Sequence, residues 1–170
     1  MNKEKRKEEI IKILKNSNKP ISGSYLAEKL NVTRQVIVQD IALIRAQGIN
    51  IMATARGYIL YEKEDNKYKK VITVSHEKKD IEDELSIIVD LGGRVINVIV
   101  EHPIYGEITA NLMIESRRDI KEFMEIMKRN DTVPLARLTN KVHMHTIEAK
   151  NETILDEIEQ ALKNKGYLIS

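Results

Sequence analysis

Ile21-Ser22-Gly23-Ser24-Tyr25-Leu26-Ala27-Glu28-Lys29-Leu30-Asn31-Val32-Thr33-Arg34-Gln35-Val36-Ile37 decides the fold of the first part of this 170-residue chain. The Ser22 hydroxyl can cap a helix, and Ile21 before it pairs with Leu26 four positions into that helix as a hydrophobic staple. After only Asn31-Val32 the device repeats, with Thr33 as cap and Val32 and Ile37 as staple. Apolar residues recur at helical spacing in both segments: Leu26, Ala27 and Leu30, then Ile37, Ile41 and Ile44, with Gly48 as a C-terminal cap. Two helices joined by so short a turn cross steeply, which leaves the first turn and outer face of the second one exposed.

Upstream, Ile10, Ile11, Ile13 and Leu14 build an apolar stripe behind the charged face of Lys3 to Lys12, and Asn16 to Pro20 ends that helix. Downstream, residues 51–61 read as two short strands around Arg56-Gly57, a β-hairpin. The exposed face of the third helix carries Arg34, Gln35, Val38 and Gln39. Arg and Gln can pair with base edges or phosphates, Val can touch a thymine methyl, and a helix N-terminus favours a phosphate, which adds the capping residues Ser22 and Thr33 to the set. Arg56, at the expected tip of the hairpin, is the candidate for a backbone phosphate contact.

Residues 3–62 resemble the winged helix-turn-helix of the biotin-operon-repressor type of bacterial regulator. The resemblance rests on Ile21-Ser22-Gly23, Leu26-Ala27, Leu30, Val32-Thr33-Arg34-Gln35, Asp40-Ile41, Arg45, Gly48 and Gly57-Tyr58. It implies binding to double-stranded operator DNA.

The charge distribution agrees. Residues 1–70 hold 15 Lys and Arg against 8 Asp and Glu, a balance of +7, whereas residues 71–170 hold 13 against 18, a balance of −5. A polyanion suits the first half and not the second. The changeover falls in the charged run from Glu62 to Lys70, which reads as an exposed linker. There are no cysteines, so disulfides, thiolate metal sites and cysteine nucleophiles are excluded. The charged N-terminus lacks the apolar core of a signal peptide, and no stretch approaches a membrane span; a cytoplasmic protein is expected.

The acidic half reads as a strand at 71–75, a helix at 78–91, strands at 94–101 and 107–113, a helix at 116–129, a strand at 142–148, a helix at 152–165 and a short strand at 167–169. All four histidines lie in it, at 76, 102, 143 and 145. His143 and His145, two apart on a strand, project from one sheet face while Val142 and Met144 point to the other. His76 ends the first strand. Glu84 falls within the apolar stripe Ile81, Leu85, Ile88 and Leu91 of the following helix, and a carboxylate on a buried face needs a cation or a protonated histidine as companion. Imidazoles with a carboxylate suit Ni, Zn, Fe or Mn, and the ligand types do not select among them.

Residues 71–170 resemble the three-histidine (3H) domain of niacin-responsive transcriptional repressors, through Val74-Ser75-His76, Glu84-Leu85, Val89-Asp90, the run from Val98 to Gly106, Pro134-Leu135 and His143-Met144-His145-Thr146-Ile147. The resemblance implies a repressor of niacin uptake and NAD biosynthesis genes, nicotinic acid or nicotinamide as co-repressor, and one divalent transition metal held by His76, Glu84, His143 and His145. Polarity and proximity to these motifs add His102, Tyr105 and Arg137 as effector contacts. The expected architecture is therefore α+β: a winged helix-turn-helix over residues 1–62, a linker over 63–70, and a C-terminal mixed α/β sandwich over 71–170. A homodimer is expected, because one recognition helix reads too few base pairs. The competing readings are a regulator whose signal is the metal itself and a metal-dependent hydrolase fused to a winged helix. The hydrolase lacks a positioned base beyond Glu84 and leaves the basic half without a purpose.

Overall fold

The computed structural model describes residues 1–62, 66–130, 135 and 141–169, and divides into two compact units, Met1–Lys63 and Glu64–Ser170. In the first, α1 (Lys3–Lys15), α2 (Gly23–Lys29) and α3 (Arg34–Ala46) precede a hairpin of β1 (Ile51–Thr54) and β2 (Gly57–Leu60). The caps are local chemistry. Ser22 Oγ accepts the Tyr25 amide at 3.1 Å and Thr33 Oγ1 the Val36 amide at 3.3 Å, each satisfying a donor that the helix cannot pair internally. Ile10, Leu14, Leu26, Ile37, Ile41 and Ile44 are essentially inaccessible and form one core with Leu30 and Ile51. Within that core's rim, the Arg6 guanidinium grips the buried Asp40 of α3 through Nε at 2.5 Å and Nη2 at 3.2 Å, tying α1 to α3.

The hairpin turn holds a correction. Arg56 does lie in the two-residue turn between Thr54 and Gly57, but its side chain is buried, 8% exposed, instead of projecting into solvent. Backbone bonds between Ile21 and Tyr58 fasten β2 to the segment preceding α2, and a Cβ on Gly57 (φ +138°) would stand 2.3 Å from the Ile21 carbonyl oxygen. Thr54 Oγ1 closes the turn by accepting the Arg56 amide and donating to the Gly57 carbonyl. The turn is thus drawn down onto the domain. Arg56→Ala is expected to lower the melting temperature, by the roughly 1–3 kcal/mol of an ordinary buried truncation, and to leave the salt dependence of DNA binding unchanged. A preserved melting temperature with a salt slope reduced by about one unit would show instead that Arg56 reaches a phosphate.

In the second unit, β3 (Tyr68–Ser75) leads through a 3-10 turn (Lys78–Asp80) into α4 (Ile81–Asp90), then β4 (Arg94–His102), β5 (Gly106–Ile114), α5 (Arg117–Asn130), β6 (Val142–Ala149) and α6 (Glu152–Asn164). The strands form one antiparallel sheet in the order β3-β6-β4-β5. Leu85 and Ile88 of α4, Ile120 of α5 and Leu155, Ile158 and Leu162 of α6 share a single core with Ile72, Val74, Val95, Ile114 and Ile147 of the sheet. All three helices therefore lie on one sheet face. Three boundaries differ from expectation. Residues 68–70, read as linker, belong to β3, because the edge strand's lysines find carboxylates: Lys69 lies 3.7 Å from Glu148 and Lys70 2.6 Å from Glu159. The α-helix expected from residue 78 begins at Ile81, after a capping box between Glu77 and Asp80 tightens the first turn. The final strand shrinks to one bridge, Leu168 to Val74.

Candidate metal and DNA sites

Antiparallel register sets the metal candidates. His143 pairs with Val74 and His145 with Ile72, so both imidazoles stand on the helix-covered face with those core residues, and His76 follows the end of β3. Glu84 reaches them from α4. Its side chain and that of His76 are at most 2% exposed, and those of His143 and His145 4%. Such burial is costly for an ion unless partners surround it.

The partners are the imidazole Nε2 atoms. His76 Nε2 meets Glu84 Oε2 directly, His143 Nε2 lies 3.7 Å from the same oxygen, and His145 Nε2 lies 3.1 Å from Glu84 Oε1. The rings stack edge to face, His76 on His143 and His143 on His145, each pair with centroids 4.8 Å apart. Every one of these histidines has Nδ1 against a backbone carbonyl: Glu77 at 2.9 Å for His76, Lys141 at 3.0 Å for His143 and Asn97 at 2.7 Å for His145. A carbonyl can only accept, so Nδ1 carries the proton and Nε2 presents a lone pair toward Glu84 in the neutral ring. That arrangement fixes tautomer and ring orientation in metal sites.

Protons and a cation compete for this cluster. Burial pushes the Glu84 carboxyl up, yet the charge of His145 and the close approach of the His143, His145 and His76 rings outweigh it and hold Glu84 well below the usual carboxylate range. Burial pushes His76 and His145 down, while Glu84 outweighs it and raises both. One feature fits a metal better than a proton. His145 Nε2 and Glu84 Oε1 are fully buried and, although 3.1 Å apart, make no hydrogen bond. His76, Glu84 and His143 offer ligand atoms all within 4.8 Å of one another; His145, the fourth residue expected, is outside that group, although its Nε2 lies 3.1 Å from Glu84 Oε1. The residues present fit a divalent ion.

The predicted effector contacts do not converge. His102 lines a cavity of about 650 Å³ with Thr73, Ile99, Glu101, Val142 and Met144, a volume typical of small-molecule pockets. Its Nδ1 accepts the Ile104 and Tyr105 amides at 3.1 and 3.3 Å, which makes it a turn cap as well. Tyr105 stacks on His102 but is 75% exposed and outside the cavity wall, since that turn points its side chain outward. Arg137 lies outside the described residues. His143, not expected as an effector contact, lines the same cavity. Two further neighbours escaped sequence reasoning. Asn97 sits at an irregularity of β4 and receives both His145 and the Thr146 amide, and Tyr167, whose ring is 5.5 Å from that of His76, donates to Asp83 at 2.8 Å.

In the first unit Ser22, Thr33, Arg34, Gln35, Val38 and Gln39 are all exposed, Val38 with 47% of its surface. Tyr25 on α2 is 48% exposed as well, with Lys29 Nζ 5.6 Å from its ring centroid at i,i+4 spacing.

Comparison with known proteins bears on the two units as wholes. Residues 6–59 match an HTH domain and residues 69–170 a 3H domain. The chain is 44% identical to the probable transcription repressor NiaR of Thermotoga maritima over 98% of its own length and 95% of that protein. It is 37% identical to the transcription repressor NadR of Bacillus subtilis over 96% and 93%.

Proposed function

The chain belongs to the family of niacin-responsive transcription repressors, an HTH domain followed by a 3H domain, and we propose that a small pyridine carboxylate, nicotinic acid or the related nicotinamide, acts on it as co-repressor through a metal-organised pocket. The chain is a DNA-binding repressor and not an enzyme, as its named relatives are repressors with the same HTH domain. No helix among the described residues is long and apolar enough to cross a membrane. In the proposed reading it works in the cytoplasm as a homodimer on genes of niacin uptake and NAD synthesis.

One observation carries the effector reading: His143, whose imidazole joins the buried His-Glu cluster on the helix-covered face, is also among the residues that line the 650 Å³ cavity, so β6 separates the two sites by the thickness of one strand. His76, Glu84, His143 and His145 would hold one divalent ion, Ni, Zn, Fe or Mn. When bound, the ion supplies positive charge that neutralises Glu84 and attracts an anionic ligand. Strand β6 would then link the two sites, with the His143 imidazole, its Nδ1 on the Lys141 carbonyl, on the metal side and Val142 and Met144 on the cavity side. Thr73, Ile99 and Met144 give the cavity a largely apolar wall suited to an aromatic ring.

Titration of operator DNA with the metal-loaded protein, with and without nicotinate or nicotinamide, tests the proposal. The co-repressor should tighten operator binding, and only when metal is present. Tightening by metal alone, with no further effect of nicotinate, would establish the metal as the signal. On the DNA side, Arg34→Ala and Gln35→Ala are each expected to weaken operator binding by about 1–3 kcal/mol, the worth of one bidentate base contact, at unchanged melting temperature. Unchanged operator affinity at fixed salt in both variants would remove these side chains from the recognition surface.

A further inference from the structure

Strand β4 changes face midway along its length. Alternate residues of a regular strand share a face, so Val95 and Ile99 should point the same way. They do not: Val95 pairs with Ile147 and packs into the helix-covered core, whereas Ile99 pairs with Met144 and lines the cavity with it. Between those two pairs β4 places three residues, 96–98, against two of β6, His145 and Thr146. The extra residue makes a β-bulge, which bends the strand and re-aims the groups beside it.

Asn97 sits within the bulge and supplies both acceptors that those two residues of β6 need. Its side-chain Oδ1 accepts the Thr146 amide at 2.9 Å, in the place a ladder carbonyl would take. Its main-chain carbonyl is thereby left for the His145 imidazole and accepts Nδ1–H at 2.7 Å. We infer that Asn97 is a positioning residue of the metal site: by holding the Thr146 amide with its side chain it reserves its carbonyl for His145, and so keeps Nε2 of that ring 3.1 Å from Glu84 Oε1. The inference rests on the metal site proposed above and adds to it a residue that touches no ion. Without the Asn97 amide group, one carbonyl faces two donors. The backbone amide cannot move its proton, whereas an imidazole can carry its proton on either nitrogen and can turn, so the ring is the partner that loses.

Two variants test this, Asn97→Ala, which removes the side-chain acceptor, and Asn97→Asp, which keeps one in the same place. Imidazole 1H–15N spectra of the full-length protein, with His145 assigned through His145→Gln, read the ring directly. In the metal-free wild type the His145 Nδ1 proton should be visible and exchange slowly with water. It should be lost to exchange in Asn97→Ala and restored in Asn97→Asp. Zinc affinity, measured by competition with a chelator well below the melting temperature, should fall about 10–100-fold in Asn97→Ala and stay within about threefold in Asn97→Asp, as for loss and retention of a partner behind a metal ligand. A side chain that merely completes the strand ladder would lower the melting temperature of Asn97→Ala and move neither the proton nor the zinc affinity. That outcome would overturn the inference, and so would a His145 Nδ1 proton already in rapid exchange in the wild type, a result that needs no variant to fold. A wild type that binds no zinc, yet shows the slow proton and its loss in Asn97→Ala, would remove the metal while upholding the hold of Asn97 on His145.

Discussion

His145→Ala is expected to reduce metal affinity by at least about 100-fold, since even the loss of a hydrogen-bond partner behind a ligand costs 10–100-fold. The imidazole removed is one whose orientation the fold has fixed, by Nδ1 on the Asn97 carbonyl at 2.7 Å, and whose Nε2 is buried beside Glu84 without a hydrogen bond. Nicotinate should consequently lose its effect on operator binding, while basal binding, the work of a separate compact unit, should stay within about threefold, about 0.6 kcal/mol. His145→Gln, which keeps a polar group in the same space, guards against misreading a folding defect as a ligand defect. Elemental analysis after reconstitution, followed by operator titrations, measures each step. Full metal content in both variants would remove His145 from the coordination sphere and leave His76, Glu84 and His143 as the set.

Much of the fold was legible because its signals are local. Ser22 and Thr33 cap the helices that their spacing announced, and the 143/145 alternation placed two imidazoles on one face because strand periodicity leaves no other choice. Glu84 stood out as a carboxylate inside an apolar stripe, and in the structure it is the group on which all three rings converge. What was not legible depends on contacts distant in sequence. Arg56 is buried because the hairpin docks on Ile21, thirty-five positions upstream, and a local turn signal cannot foresee that. The Arg6 to Asp40 pair joins residues 34 apart with no pattern to mark it. Residues 68–70 looked like linker for their charge, yet their lysines find Glu148 and Glu159 on elements far along the chain. The carbonyls that fix the histidine tautomers carry no sequence signature either.

Glu84→Leu should abolish metal binding and also invert the pH dependence of the stability difference from wild type. In the metal-free wild type, His76 and His145 have raised pKa values, so their pairing with Glu84 is fully present below the unfolded histidine pKa of about 6.5 and is lost as pH rises through the raised folded values. Glu84 is depressed, so its contribution is present above the unfolded carboxylate pKa of about 4.3 and is lost only as pH falls through the folded value. Pairing therefore stabilises the apoprotein most between about pH 4.5 and 6.5. In Glu84→Leu the rings have no counter-charge and must discharge to remain buried. Near pH 5.5 the variant should be less stable than wild type, by up to the 3–5 kcal/mol typical of a broken buried pair. Near pH 8.5 the imidazoles are neutral in the variant, the apolar stripe of α4 is continuous, and the variant should equal or exceed wild type, since replacing a buried ionic group with an apolar one is often stabilising by about 1–4 kcal/mol. Zinc should act in the opposite sense on wild type, raising its melting temperature more at pH 8.5 than at 5.5 because protons compete for the same Nε2 atoms, and should leave the variant unmoved. Melting curves of both proteins across this range, with and without zinc, decide the matter. A stability difference that does not change with pH would mean that the cluster holds no proton-linked ion pair, and a zinc response in the variant would place the metal elsewhere.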